Sequence, residues 1–135
     1  MKARKLRVAQ WATGYVGSHT MRKVIEHPNL ELVGLWVHSE AKEGKDAGEL
    51  CGMPATGVKA TRSIEDIVAL KPDCVLYMQE GVDFDDVCRL LEAGIEHADA
   101  FAAVSSGDNS NIISARVARE TFRVPKVIAR IYDPR

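Results

Sequence analysis

The stretch Val8-Ala9-Gln10-Trp11-Ala12-Thr13-Gly14-Tyr15-Val16-Gly17 decides how the rest of the chain is read. Leu6 to Trp11 has the pattern of a short β-strand, and residues 15–26 carry Val16, Met21, Val24 and Ile25 at helical spacing. The segment therefore runs from a strand through a tight turn directly into a helix, the context in which a dinucleotide fingerprint has meaning. Its spacing is A-x-G-x-x-G, with Ala12 where the first glycine usually stands and Thr13 beside it in the turn. Gly14 lets the backbone approach a pyrophosphate, and Gly17 lets the helix lie close to the strand. The amides of Gly14, Tyr15, Val16 and Gly17 would then face the phosphates from the positive end of the helix. Two glycines also suit any tight strand-to-helix turn. Their position after the first strand of an alternating chain favours the nucleotide.

Outward from this turn, short strands alternate with helices. Residues 30–37 form a second strand that is apolar along nearly its whole length, as a strand covered on both faces should be. Residues 39–57 read as a long glycine-containing loop with one helical turn near Asp46 to Leu50, followed by a weak third strand at 58–60. Ser63 is a plausible N-cap, with Asp66 three positions on, and Lys71-Pro72 closes that helix. Strand 73–78, helix 83–93 with Gly94 as its left-handed stop, strand 100–104, helix 109–122 and strand 127–131 complete the pattern. The expected fold is α/β: a single Rossmann-type, doubly wound parallel sheet of about six strands in the order 3-2-1-4-5-6, with helices on both faces and residues 1–135 as one domain.

Composition narrows the function classes. The 135 residues are 46% hydrophobic and 27% charged, with 18 basic against 19 acidic side chains, so the net charge of −1 gives no electrostatic case for nucleic acid or an anionic membrane. The apolar runs are strand-sized, far below the roughly 20 residues of a membrane span, and the basic N-terminus lacks the pattern of a secretory signal. Three widely spaced cysteines, Cys51, Cys74 and Cys88, read as buried free thiols. Together these features suggest a cytoplasmic protein.

The tip of the second strand, Val37-His38-Ser39-Glu40-Ala41-Lys42, bears on the choice of cofactor. An acidic residue there accepts bonds from a bare ribose. His38, Ser39 and Lys42 suit a 2′-phosphate better, which favours NADP over NAD, with Glu40 pulling the other way. No catalytic residues and no metal ligands emerge. His19, His27, His38 and His97 have no ligand spacing, Glu80, Asp83, Asp85 and Asp86 suit a helix N-terminus, and Asp108 reads as a cap for its helix.

Two resemblances meet on this chain. Residues 8–17, Glu26-His27-Pro28-Asn29-Leu30-Glu31-Leu32-Val33-Gly34, Gly44-Lys45-Asp46-Ala47-Gly48 and Lys71-Pro72-Asp73-Cys74-Val75-Leu76-Tyr77 resemble the N-terminal cofactor domain of dihydrodipicolinate reductase-like proteins, including NAD(P)-dependent diaminopentanoate dehydrogenases. That resemblance covers about residues 5–93. It implies a nicotinamide cofactor gripped by Gly14, Tyr15, Val16 and Gly17, with ribose contacts near His38 and Ser39. Met78 and Gln79 would approach the nicotinamide half.

From about residue 94, Ala93-Gly94-Ile95-Glu96-His97-Ala98-Asp99-Ala100-Phe101-Ala102-Ala103-Val104, then Gly107 to Ala118, then Ile128 to Arg135, are similar to the nucleotide-binding domain of Trk-type potassium-uptake regulators. The chain thus reads as a chimera, natural or engineered, joined near residues 92–96. The expected function is an NAD(P)-binding Rossmann module without its own catalytic domain. Alternatives are a folded scaffold with no tight ligand, a nucleotide-sensing regulator of potassium transport, or the cofactor half of a reductase completed by a partner. A homodimer through an edge strand near the C-terminus stays open.

Overall fold

The computed structural model describes residues 4–79, 81, 83–94, 99–103 and 107–132. The chain divides into two compact units, Met1–Glu80 and Gly81–Arg135.

In the first unit, β1 (Leu6–Trp11), α1 (Tyr15–Glu26), β2 (Leu30–Trp36), α2 (Ala47–Cys51), β3 (Ala60–Thr61), α3 (Ile64–Ala69) and β4 (Cys74–Tyr77) follow in sequence. The strands form one parallel sheet in the order β3-β2-β1-β4, the expected order over these four strands. Alternation along β1 sends its side chains to two helical layers. Val8 joins Met21 and Val24 of α1 in a buried cluster with Leu32, Leu35 and Val37. On the opposite face, Ala9 and Gly34 lie under Ile67 and Leu70, so close that a Cβ on Gly34 would stand 2.7 Å from Leu70 Cδ1. Helices therefore cover both faces of this sheet.

Polar anchors fix the ends of these elements. Asp73 Oδ2 accepts from the Arg7 N–H at 2.8 Å and Oδ1 pairs with Arg4 at 2.7 Å, tying β4 to the start of β1. These contacts, the Arg7 amide first, hold the Asp73 carboxyl below its ordinary range. Ser63 caps α3 through the Asp66 N–H at 3.1 Å, as the sequence predicts. Third-strand pairing begins two residues later than expected, because Lys59 forms an antiparallel bridge with Asp46 and only Ala60 and Thr61 face β2.

The loop before β3 is organised by one carboxylate. Asp46 caps α2 by accepting from Gly48 N at 2.8 Å, and it also accepts from Thr56 N, Thr56 Oγ1 and Gly57 N at 2.9, 3.2 and 2.9 Å. These donors, the Thr56 amide foremost, hold its pKa at about 2. Gly52 ends α2 in the left-handed conformation, with φ of 72°.

The second unit contains α4 (Phe84–Glu92), β5 (Ala100–Ala103), α5 (Asp108–Arg116) continuing into a π-helical turn (Val117–Thr121), and β6 (Lys126–Ala129). Within this unit β5 and β6 pair in parallel as a two-stranded sheet. Their backbones satisfy each other along four residue pairs, from Ala100–Lys126 to Ala103–Ala129. Leu91, Ala118 and Val124 form the core, with Val87, Phe101 and Val127 packed against it.

Several local expectations for this unit change. Asp83 does cap α4, through Asp85 N and Asp86 N at 3.0 and 3.1 Å. Gly94 is not a left-handed stop, because the helix tightens into a final turn through Gly94 N to Leu91 O at 3.2 Å. Asp108 does not cap α5: Gly107 takes that position, and Asp108 Oδ1 accepts from Tyr132 N at 2.8 Å. Cys51 is buried as expected, while Cys74 in β4 and Cys88 in α4 are exposed. Val104, Ser105, Ser106, His97 and Glu80 lie outside the described residues.

Candidate functional site

The site is built at the carboxyl edge of the first sheet, where β1 passes into α1. Ala12 adopts a left-handed conformation with φ of 71°, the geometry a glycine normally supplies at this point. The turn is therefore as tight as the fingerprint requires despite the alanine. Two hydrogen bonds hold it: Ala12 N donates to Trp36 O at 2.9 Å, and Gln10 Nε2 donates to Ala12 O at 3.2 Å. Gly17 lies directly over this carbonyl, where a Cβ would approach to 2.5 Å.

Gly14 is the N-cap residue of α1 and supplies no side chain to the free amides of the first turn. No acidic side chain occupies that turn, and Tyr15 and Val16 are exposed. Nothing lies within 4 Å of where a Gly14 Cβ would be. Uncapped amides at the positive end of a twelve-residue helix, beside an open glycine backbone, fit a pyrophosphate.

Thr13 links this turn to the tip of β2. Its carbonyl accepts from Ser18 Oγ at 3.2 Å. Lys42 Nζ reaches across to donate to Thr13 Oγ1 at 2.9 Å and to Thr13 O at 3.4 Å. Ser39 precedes a 3-10 turn (Glu40–Lys42) and accepts from Lys42 N at 3.0 Å. His38 is exposed, with its ring edge-on to Trp36 at 6.3 Å. His38, Ser39 and Lys42 thus follow directly from the buried end of β2, and Lys42 also touches the glycine turn.

Met78 and Gln79 follow β4, which pairs with β1 on the other side. Met78 N donates to Trp11 O at 3.0 Å, and Gln79 Oε1 accepts from Trp11 Nε1 at 3.3 Å. Trp11 is fully buried and stacks on Trp36 with ring centroids 4.2 Å apart, and on Tyr77 at 5.8 Å. Three strands in register thus place three aromatic rings in a row beneath the site.

Two residues of the site are absent from the sequence reading. Gln10 is fully buried beneath the turn, and its Oε1 has no hydrogen-bond partner among the described residues. Its signal in the sequence is a polar side chain between the apolar residues Val8, Ala9 and Trp11 of β1. Arg62 follows β3, and its carbonyl accepts from Trp36 Nε1 at 3.1 Å. Only the β2–β3 pairing brings it to the β2 tip, so spacing along the chain carried no hint of it.

A parallel sheet in the order 3-2-1-4, with a glycine turn after its first strand, defines a Rossmann-type α/β protein. The chain belongs to two families, each matching more than half of it: dihydrodipicolinate reductase, N-terminus, over residues 11–85, and the TrkA-N domain over residues 61–135. Among curated relatives, it is 73% identical over 55 residues to the Trk system potassium uptake protein TrkA of Streptomyces coelicolor, covering 41% of this chain and 24% of that protein. It is 44% identical over 72 residues to an amine dehydrogenase of Streptomyces virginiae, covering 53% of this chain and 20% of that protein. The chain therefore spans a quarter or less of either relative. Among solved structures, GenD2 from gentamicin A biosynthesis, in complex with NAD, superposes with a TM-score of 0.65 at 14% identity, covering 96% of this chain and 35% of that one, a likeness of fold. No helix among the described residues is long and apolar enough to cross a membrane.

Proposed function

We propose that the first unit binds a nicotinamide dinucleotide, with NADP(H) favoured, through the amides of Gly14, Tyr15, Val16 and Gly17 and the β2 tip at His38, Ser39 and Lys42. The observation that carries this reading is the uncapped start of α1 beside an open Gly14 backbone. Ala12 and Thr13 shape the turn, and Met78 and Gln79 border the nicotinamide end. The chain serves as a binding module, and hydride transfer would depend on groups from another domain or subunit.

We further read the chain as a chimera of the two families. Both family models match residues 61–85, which a shared fold allows, so the changeover is blurred there. The Trk match of 55 residues is longer than residues 94–135, which favours a changeover somewhat before residues 92–96.

A second reading, a scaffold without a tight ligand, draws support from Ala12, whose left-handed φ strains the turn. Titration of NADPH, NADH and ATP separately, followed by quenching of Trp11 and Trp36, separates the two. Saturable binding with NADPH tighter than NADH is expected. A folded protein that quenches with none of them would rule out the binding module and leave the scaffold.

A further inference from the structure

Arg62 stands at the β2 tip with its backbone fixed and its charge unspent. β3 pairs with β2 through Trp36 and Thr61, and Val37 N donates to Thr61 O at 2.9 Å. The next carbonyl, that of Arg62, is held by the Trp36 indole, which its stack on Trp11 keeps in place. By contrast the guanidinium is exposed and makes no ion pair or hydrogen bond with any described residue. Neighbouring carboxylates are engaged elsewhere: Asp66 accepts from Thr61 Oγ1 at 2.7 Å, and Glu65 from Ser63 Oγ at 3.2 Å.

Lys42 differs. Its ammonium is already committed to Thr13 Oγ1 and the Thr13 carbonyl, bracing the 3-10 turn against the glycine turn. Of the two cations near the β2 tip, the one suggested by sequence is a tether and the other is free.

Resting on the dinucleotide reading above, we propose that Arg62 determines cofactor specificity. Its guanidinium receives the 2′-phosphate of NADP(H), and Lys42 is a positioning residue that sets the distance between the β2 tip and the glycine turn. In a Rossmann site the adenosine ribose lies beyond the carboxyl end of the second strand, the level at which Arg62 is anchored. A phosphomonoester carries between one and two negative charges, and a planar guanidinium meets two of its oxygens at once. A bare ribose offers hydroxyls that need an acceptor; His38 and Ser39 bring no carboxylate to that point, and Glu40, which opens the 3-10 turn, is the one nearby group that works against the preference.

The test compares NADPH and NADH affinities by tryptophan quenching for the wild-type chain, Arg62→Gln and Lys42→Met, with the thermal midpoint of each as a folding control. Arg62→Gln should weaken NADPH by about tenfold to a hundredfold, the scale of one charge-assisted contact, and leave NADH within about twofold. Lys42→Met should weaken both cofactors alike. Equal loss of both cofactors in Arg62→Gln, or an unchanged NADPH preference, would overturn the assignment to Arg62 while dinucleotide binding stood. A wild-type chain that prefers NADH overturns it as well. Binding of neither cofactor by the folded wild type overturns the dinucleotide reading itself and this assignment with it.

Discussion

Gly17 sits over Ala12 so closely that a Cβ on it would stand 2.5 Å from the Ala12 carbonyl oxygen and 3.1 Å from the carbonyl carbon. Backbone atoms cannot yield as a side-chain tip can. Gly17→Ala should therefore push α1 off the turn, lowering stability by about 1–3 kcal/mol and abolishing dinucleotide binding. Urea denaturation checks the first part, and an unchanged midpoint would show that the turn gives way easily.

Gly14→Ala is the informative contrast. At this position φ is −67° and a Cβ would meet nothing within 4 Å, so stability should change by less than about 1 kcal/mol. The added methyl would occupy the space reserved for pyrophosphate, weakening NADPH by at least about tenfold, or about 1.4 kcal/mol. Wild-type affinity in this variant would show that the phosphates do not approach Gly14.

Ala12→Gly should act in the opposite direction. An alanine at φ of 71° carries left-handed strain of about 1–2 kcal/mol, part of which glycine returns as unfolded-state entropy. A net gain of about 0.5–1 kcal/mol is expected, with cofactor affinity retained or improved. Thermal denaturation decides it, and a loss of stability would mean that the Ala12 methyl makes contacts worth more than the strain.

Acid should loosen the Asp46 loop. The folded pKa of about 2 lies below the ordinary 3.8, so the ionised carboxylate stabilises the fold above that ordinary value. This stabilisation falls away as pH drops from near 3.8 toward 2. Asp46→Asn, which loses the charge and turns donors toward donors, should be less stable at pH 6 and show a flatter dependence over that window. Parallel slopes for the two proteins between pH 5 and 2.5 would contradict the assignment.

Thiol chemistry gives an independent check on burial within each of the two units. Burial, the dominant influence, raises the Cys51 thiol pKa, although the Arg22 guanidinium beside it partly opposes this. Cys74 and Cys88 are exposed. Cys88 should react with a disulfide reagent in the native protein, Cys74 more slowly because desolvation and then the neighbouring Asp73 carboxylate push its thiol pKa up, and Cys51 only after denaturant is added.

The local features of the fold were legible because their causes are local. The bounds of α1 follow from Gly14 and His27-Pro28, and the α3 cap follows from Ser63 and Asp66. What escaped reading depends on groups distant in sequence. Asp46 gathers donors ten and eleven residues away, and Arg62 reaches the β2 tip only through strand pairing. Gln10 looks like any polar strand residue until the helix closes over it. The turn at Val117–Thr121 departs from α-helical spacing within a pattern that reads as unbroken helix. In the site, the glycine turn was evident from spacing alone, whereas the division of labour between Lys42 and Arg62 required the side-chain contacts.

The stacked indoles of Trp11 and Trp36 also make the sheet report on its own alignment. They face one another because Trp11 is paired with Trp36 in the register that β1 and β2 hold after the shift between Val8 and Ala9, and a further slip of one residue would send either ring to the opposite face. Two indoles 4.2 Å apart absorb as a coupled pair, so their near-ultraviolet circular dichroism is a gauge of strand alignment. Any variant that keeps its helices but loses that signal has shifted its sheet, and refolding can be timed by the moment the two rings meet.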